Sequence, residues 1–217
     1  MTDPPFTTAQ IDEIPAIVAG GASWKPVRRH LGVTAFGVNA FTAAEVGDEL
    51  IEDHDELGVQ AGHHQELYFV AAGAAMFTVD GTDIEASSGT CVFVSRPAAR
   101  RAARAAAPNS TVIVMGAPEG AAFTPSEWEF SQTAEPAARD GDFERALEVM
   151  HEGLELHPNG ATLLYNLACY ETLAGHQDEA VSHLAAAIDL DPAIAEWAAK
   201  DADLDALRQR ADFPKLG

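Results

Sequence analysis

Two periodicities divide the chain. From residue 30 to 118, short apolar runs are broken by Gly, Asp, Asn, Ser and Pro. The runs are "LGVTAFGVNAFT", "ELYFVAAGAAMFTVDGTDIEA", "GTCVFVSRP" and "STVIVMGAP". Runs of this length, rich in β-branched and aromatic residues and bounded by turn formers, predict strands. Asp80-Gly81 sits between Phe77/Val79 and Ile84, which predicts a tight hairpin. Many short strands with regular turns imply an antiparallel sandwich or barrel.

Beyond Pro136 the period becomes helical. Phe143, Ala146, Leu147, Met150 and Leu154 recur at one face's spacing, as do Leu163, Leu164, Leu167, Ala168 and Leu173. Ala180, Val181, Leu184, Ala187 and Ile188 form a third set. Gly141 and Gly175 punctuate these helices, and Pro158 and Pro192 end them. Each of these pairs, like Ala146 and Ala180, is 34 residues apart.

That period and the stretch "LLYNLACYETLAGHQDEAVSHLAAAIDLDP" resemble the tetratricopeptide repeat. Leu164, Leu167, Ala168, Gly175, Ala180, Leu184, Ala187 and Pro192 occupy its signature places, while Glu171 stands where the repeat usually has an aromatic residue. The preceding copy matches in its second helix alone. The resemblance implies a groove whose concave side carries Tyr165, Asn166 and Cys169 and receives a protein partner. The other reading is packing or contact with a second subunit. The resulting division is an N-terminal arm at 1–29, a β domain at 30–118, a linker at 119–136 and a helical domain at 137–217.

Composition narrows the function classes. There are 13 Lys and Arg against 34 Asp and Glu, for a formal charge of −21. That excess opposes phosphate backbones and argues against nucleic acid. No run of about 18 apolar residues predicts a membrane span. The first residues lack the basic and apolar regions of a secretory signal. Cys91 and Cys169 show neither zinc spacing nor a disulfide framework, and read as small core residues in a reducing cytoplasm.

The stretch from Gly47 to about Met115 resembles a single-domain cupin, an antiparallel β-barrel of the RmlC-like jelly-roll kind. "ELYFVAAG" supplies the glutamate of the family's first motif, Glu66, and the glycine seven positions on, Gly73. "GTCVFVSRPAAR" follows the second motif, with Arg100 in the histidine's place. Read without gaps, the first motif's two histidine places fall on Gln60 and Gly62. Read with "ELGVQAGH" as an inserted loop, they fall on His54 and Glu56, and this register is preferred. In an extended strand, side chains two apart share a face. His54 then lies with Glu56, and His64 lies with Glu66 and Tyr68. His63 reads as a loop residue, and Arg101 and Arg104 read as surface charges.

The resemblance implies a pocket lined by His54, Glu56, His64, Glu66, Tyr68 and Arg100. The fold class is α+β in two domains, a barrel followed by tetratricopeptide-like helices. Two function classes follow. In one, Arg100 supplants a metal, the barrel binds a small and possibly anionic ligand, and the helices serve protein interaction or homodimerisation. In the other, His54, Glu56, His64 and Glu66 hold a divalent transition metal (Zn, Mn, Fe or Ni) in an oxygenase- or isomerase-class enzyme acting on a small metabolite. A guanidinium cannot ligate and stays charged, which favours the first.

Overall fold

A computed structural model describes residues 6–19, 21–58 and 60–214. Residues 1–5 and Gly20 of the expected arm, Val59 of the expected loop and residues 215–217 of the helical domain lie outside the described residues. The chain divides into two compact units, Met1–Pro125 and Ser126–Gly217.

Among its described residues, the first unit contains ten strands: β1 (Ile17–Ala19), β2 (Ala22–Lys25), β3 (Gly37–Ala43), β4 (Glu49–His54), β5 (His64–Ala72), β6 (Ala74–Val79), β7 (Thr82–Ser87), β8 (Cys91–Val94), β9 (Arg101–Ala105) and β10 (Ser110–Pro118). A short helix, α1 (Val27–Leu31), follows β2. The strands form a six-stranded sheet, β1-β2-β3-β10-β5-β8, and a four-stranded sheet, β4-β9-β6-β7. Neither sheet closes on itself, so the expected barrel is two open antiparallel sheets. They share one core, built from Tyr68, Val70, Val92 and Val112 of the larger sheet and Leu50, Phe77, Ala103 and Ala105 of the smaller.

Alternation sets which side chains enter that core. Along β5, Glu66, Tyr68 and Val70 are buried while Leu67 and Phe69 are half-buried on the opposite face. Along β9, Arg101, Ala103 and Ala105 are buried and Arg104 is exposed. The Asp80-Gly81 hairpin forms as the sequence predicts. Both residues have positive φ, 47° and 76°, and Val79 pairs with Thr82.

Two expected boundaries and the placement of one cysteine differ in the structure. The segment assigned to an arm supplies β1 and β2, and β2 pairs with β3. Trp24 is fully buried, and Lys25 Nζ donates to the Ile14 carbonyl at 3.0 Å, which ties the segment down. The segment assigned to a linker contains most of α2 (Glu127–Arg139), with Pro136 inside the helix. Proline there forfeits one backbone donor, a loss offset by the burial of Phe130 and Ala134 on the helix's inner face. Cys91 is exposed on edge strand β8, whereas Cys169 is buried as expected.

The second unit continues with α3 (Phe143–Leu156), α4 (Ala161–Ala174), α5 (Gln177–Leu190) and α6 (Ile194–Ala198). The helices α3 and α5 begin and end 34 residues apart, as the sequence period requires. One apolar cluster joins α2, α3 and α4 through Phe130, Met150, Leu163 and Leu167. A second joins α4, α5 and α6 through Ala168, Leu184 and Ile194, and reaches Leu204 and Leu207. Among the described residues, no helix is long and apolar enough to cross a membrane.

The expected partner groove is filled by the chain itself. Tyr165 and Cys169 are buried. Tyr165 donates to Asp201 Oδ2 at 2.5 Å, and Cys169 Sγ lies 3.7 Å from the same oxygen. Burial is the largest influence on both groups, and with Asp201 it raises the Tyr165 hydroxyl and the Cys169 thiol far above their ordinary values. Asn166 donates to Ser131 Oγ at 3.2 Å. The C-terminal segment is apolar enough, through Ile194, Ala198, Leu204 and Leu207, to prefer this face to water.

Candidate functional site

At one end of the shared core, the period-2 phase of β5 and β9 turns charged groups inward. Glu66 and Tyr68 come from β5, and Arg101 begins β9. His54 ends β4 and is the direct cross-strand partner of Arg101. Glu56 follows two residues later, fixed by its backbone N–H donating to the Pro97 carbonyl at 2.8 Å.

Glu66 is the hub. Its Oε2 accepts from the Tyr68 hydroxyl at 2.5 Å and lies 3.3 Å from Arg101 Nε and 3.8 Å from His54 Nε2. Arg101 is 0% exposed, and its Nη1 donates to the Pro97 carbonyl at 3.1 Å. Its Nε and Nη2 are buried and, among the described residues, have no hydrogen-bond partner. His54 Nδ1 faces the Glu52 carbonyl at 2.7 Å, which turns Nε2 toward Glu66 and toward Glu56 Oε1, 3.8 Å away. The other Glu56 oxygen, Oε2, accepts from the backbone N–H groups of Gly62, at 3.0 Å, and His64, at 3.3 Å.

His64 reaches the edge of this cluster. Its Nδ1 is 3.7 Å from Glu56 Oε2, while Nε2 is buried without a partner. The ring lies on Gly62, where a Cβ would fall 2.1 Å from Nε2, and beside the Phe123 ring at a centroid distance of 5.4 Å. His63, expected in a loop, is exposed with φ 54°.

These contacts bias the protonation states. Burial works against a charged His54, but Glu66 and the Glu52 carbonyl outweigh it and raise the imidazole above its ordinary value. Burial likewise opposes the Glu66 charge, yet His54 and Tyr68 together lower its carboxyl. Burial, then the Glu66 charge, push Tyr68 well above the ordinary phenol range, so it stays a donor. Arg101, joined by His54 when it is protonated, faces the carboxylate side chains of Glu66 and Glu56.

The sequence reading put Arg100 in the pocket, and the structure corrects this. Arg100 is on the outside, 57% exposed, with Nη2 2.9 Å from Asp53 Oδ2 and its backbone N–H on Asp80. Arg101, read as a surface charge, is the buried one. Strand phase is the reason: Arg101 is in register with Ala103 and Ala105, and Arg100 precedes the strand. Of the other five expected residues, His54, Glu66 and Tyr68 gather with Arg101, Glu56 joins them beside His54, and His64 stands at the edge beside Glu56.

Donor atoms of His54, Glu56 and Glu66 lie within 4.8 Å of one another, a spacing a metal ion could span; His64 stands outside that group. The neighbouring guanidinium of Arg101 opposes such an ion, while the Glu56 and Glu66 carboxylates attract it. An ion bound to Glu66 Oε2 at about 2.1 Å would lie within about 5.5 Å of the guanidinium. A +2 and a +1 charge at that distance repel by roughly 6 kcal/mol at an effective dielectric of 20. The same oxygen already holds Tyr68.

No protein-family profile and no curated protein matches the chain. Similar solved structures include a cupin protein from Bacteroides fragilis, 18% identical, covering 57% of this chain and 95% of that one with a TM-score of 0.38. Another is an uncharacterized Klebsiella pneumoniae protein with a double-stranded β-helix domain, 21% identical, covering 55% and 96% with a TM-score of 0.41. A third, from Acidithiobacillus ferrooxidans, carries the name of a candidate sugar phosphate isomerase. It is 19% identical, and the match covers 44% of this chain and 58% of that one with a TM-score of 0.37.

Proposed function

We propose that the N-terminal unit is a cupin-type domain that binds a small polar molecule without a metal, at the site formed by His54, Glu56, Glu66, Tyr68 and Arg101. The observation that carries this reading is the buried guanidinium of Arg101 beside Glu66. It supplies the positive charge that a divalent ion would otherwise supply, and it leaves donors without partners where a ligand would bring acceptors. Elemental analysis of protein purified without chelators or metal columns tests it. Substoichiometric metal is expected, together with a thermal shift from at least one member of a panel of sugars, polyols, carboxylates and phosphates.

The grouping of His54, Glu56 and Glu66 favours a second reading, a metal-dependent enzyme of oxygenase or isomerase type. Stoichiometric metal that disappears in His54→Ala would establish it over the first. For the second unit, the 34-residue offset of α3 and α5 supports a tetratricopeptide-type repeat that serves packing or contact with another subunit.

A further inference from the structure

The guanidinium of Arg101 is incompletely bonded in a specific way. Nη1 is satisfied by Pro97, while Nε and Nη2 are both buried and, among the described residues, without a hydrogen bond, Nε having an ion-pair contact with Glu66 alone. These two nitrogens share one edge of the planar group and present parallel N–H bonds. Such an edge matches the two oxygens of a carboxylate. Glu66 does not fill it: Oε2 lies 3.3 Å from Nε without the alignment of a hydrogen bond, and it is held by Tyr68. Charged donors left bare in a protein interior are costly, more so than neutral ones.

Resting on the small-molecule reading above, we propose that the ligand is a small monocarboxylic acid whose carboxylate takes the Nε and Nη2 hydrogens of Arg101. The flanking groups decide between carboxylate and phosphate. Two carboxylates, Glu56 and Glu66, face the site, so a second negative charge on the ligand meets repulsion that a single one largely escapes. A planar monoanion also fits the edge in both oxygens at once. The ligand enters past His54, the most exposed member of the cluster at 35%, and displaces the side chains that shut Nε and Nη2 from solvent. Its body then lies toward His54, where hydroxyl groups can donate to Glu56.

The test is a titration of the full chain with glycolate, lactate and gluconate, with lactamide and glycerol phosphate as matched controls. It is read by thermal shift and by the side-chain nitrogen-15 resonance of Arg101 Nε. At least one carboxylate should give a saturable shift and move the Nε resonance, with the controls weaker by about tenfold or more. Arg101→Lys keeps the charge and loses the paired edge, so carboxylate affinity should fall by about tenfold or more. Arg100→Ala, on the outer surface, should bind as the parent does. Should Arg101→Lys not fold, the Nε resonance of the parent protein decides alone. Lactamide binding as well as lactate, glycerol phosphate binding better, or an Nε resonance unmoved by every carboxylate would overturn the proposal. Neutral compounds that bind while Nε stays put would leave the small-molecule reading standing. No binding together with stoichiometric metal would remove that reading as well.

Discussion

Arg101 Nε stands 3.3 Å from Glu66 Oε2 beside a core made of Val, Ala, Leu, Ile, Tyr and Phe. A buried pair is weak evidence of net stabilisation, but breaking it strands a charge. Arg101→Met or Glu66→Gln alone should each lower unfolding stability by about 3–5 kcal/mol. The double variant should recover a large part of that loss, because no unpaired charge remains. Denaturant midpoints of the four proteins check this. Additive losses would show that the two side chains are not coupled.

His54 gives the site a pH dependence with a defined sign. Its folded-state pKa is raised from 6.5, so its contribution is fully present below that value and fades as pH rises through the folded value. Glu66 is lowered from 4.5, so its contribution is present above that value and fades as pH falls through the folded one. The melting-temperature gap between the parent and His54→Gln should therefore be widest between about pH 5 and 6.5 and shrink toward pH 9. A gap that grows with rising pH would mean that His54 is held neutral.

Much of this was legible in the sequence, and the failures have physical causes. The Asp80-Gly81 turn and the helical period were readable because each rests on local chemistry. The inward set His54, Glu56, Glu66 and Tyr68 was readable through the cupin resemblance, because both faces of β5 carry apolar residues and alternation alone does not choose the inner one. Arg101 was not. In "AARRAARAAA" the flanking residues are alanines, small enough for either face, so no bulky side chain marks the core side of β9. The clue was register: Arg100 and Arg104 are both exposed, and Arg101 shares its phase with Ala103 and Ala105, all three buried. The self-filled helical face was missed for a different reason. The segment after Pro192 carries its apolar residues without a regular repeat, and only tertiary contact shows where Asp201 goes.

Gly62 tests how His64 is seated. A methyl group there would fall 2.1 Å from His64 Nε2, against the end of a side chain. Gly62→Ala should therefore unseat the His64 ring from its place beside Phe123, while the backbone N–H of residue 62 still donates to Glu56. A loss of about 1–3 kcal/mol is expected from overpacking. The ring protons of His64 should lose the aromatic shielding of Phe123. An unchanged His64 spectrum would mean that the loop, not the ring, moves.

In the helical unit, the glutamate that the resemblance to a tetratricopeptide repeat marked as a departure has a partner. Glu171 is buried, and both of its oxygens lie 2.8–2.9 Å from His183 Nδ1 on the next helix. Glu171 outweighs the burial of the imidazole and raises the His183 pKa above 6.5. The sign is the same as for His54: the pair's stabilisation is complete below about 6.5 and is lost as pH rises through the raised value. His183→Ala leaves the carboxylate buried without its cation and should destabilise the unit most at low pH. Glu171→Phe removes the buried carboxylate and the need for a cation, so His183 should return toward its ordinary pKa. The melting temperature of that variant should vary less between pH 6 and 8 than the parent's. Should the variation persist undiminished in Glu171→Phe, the dependence would belong to another group, and His183 would be a bystander.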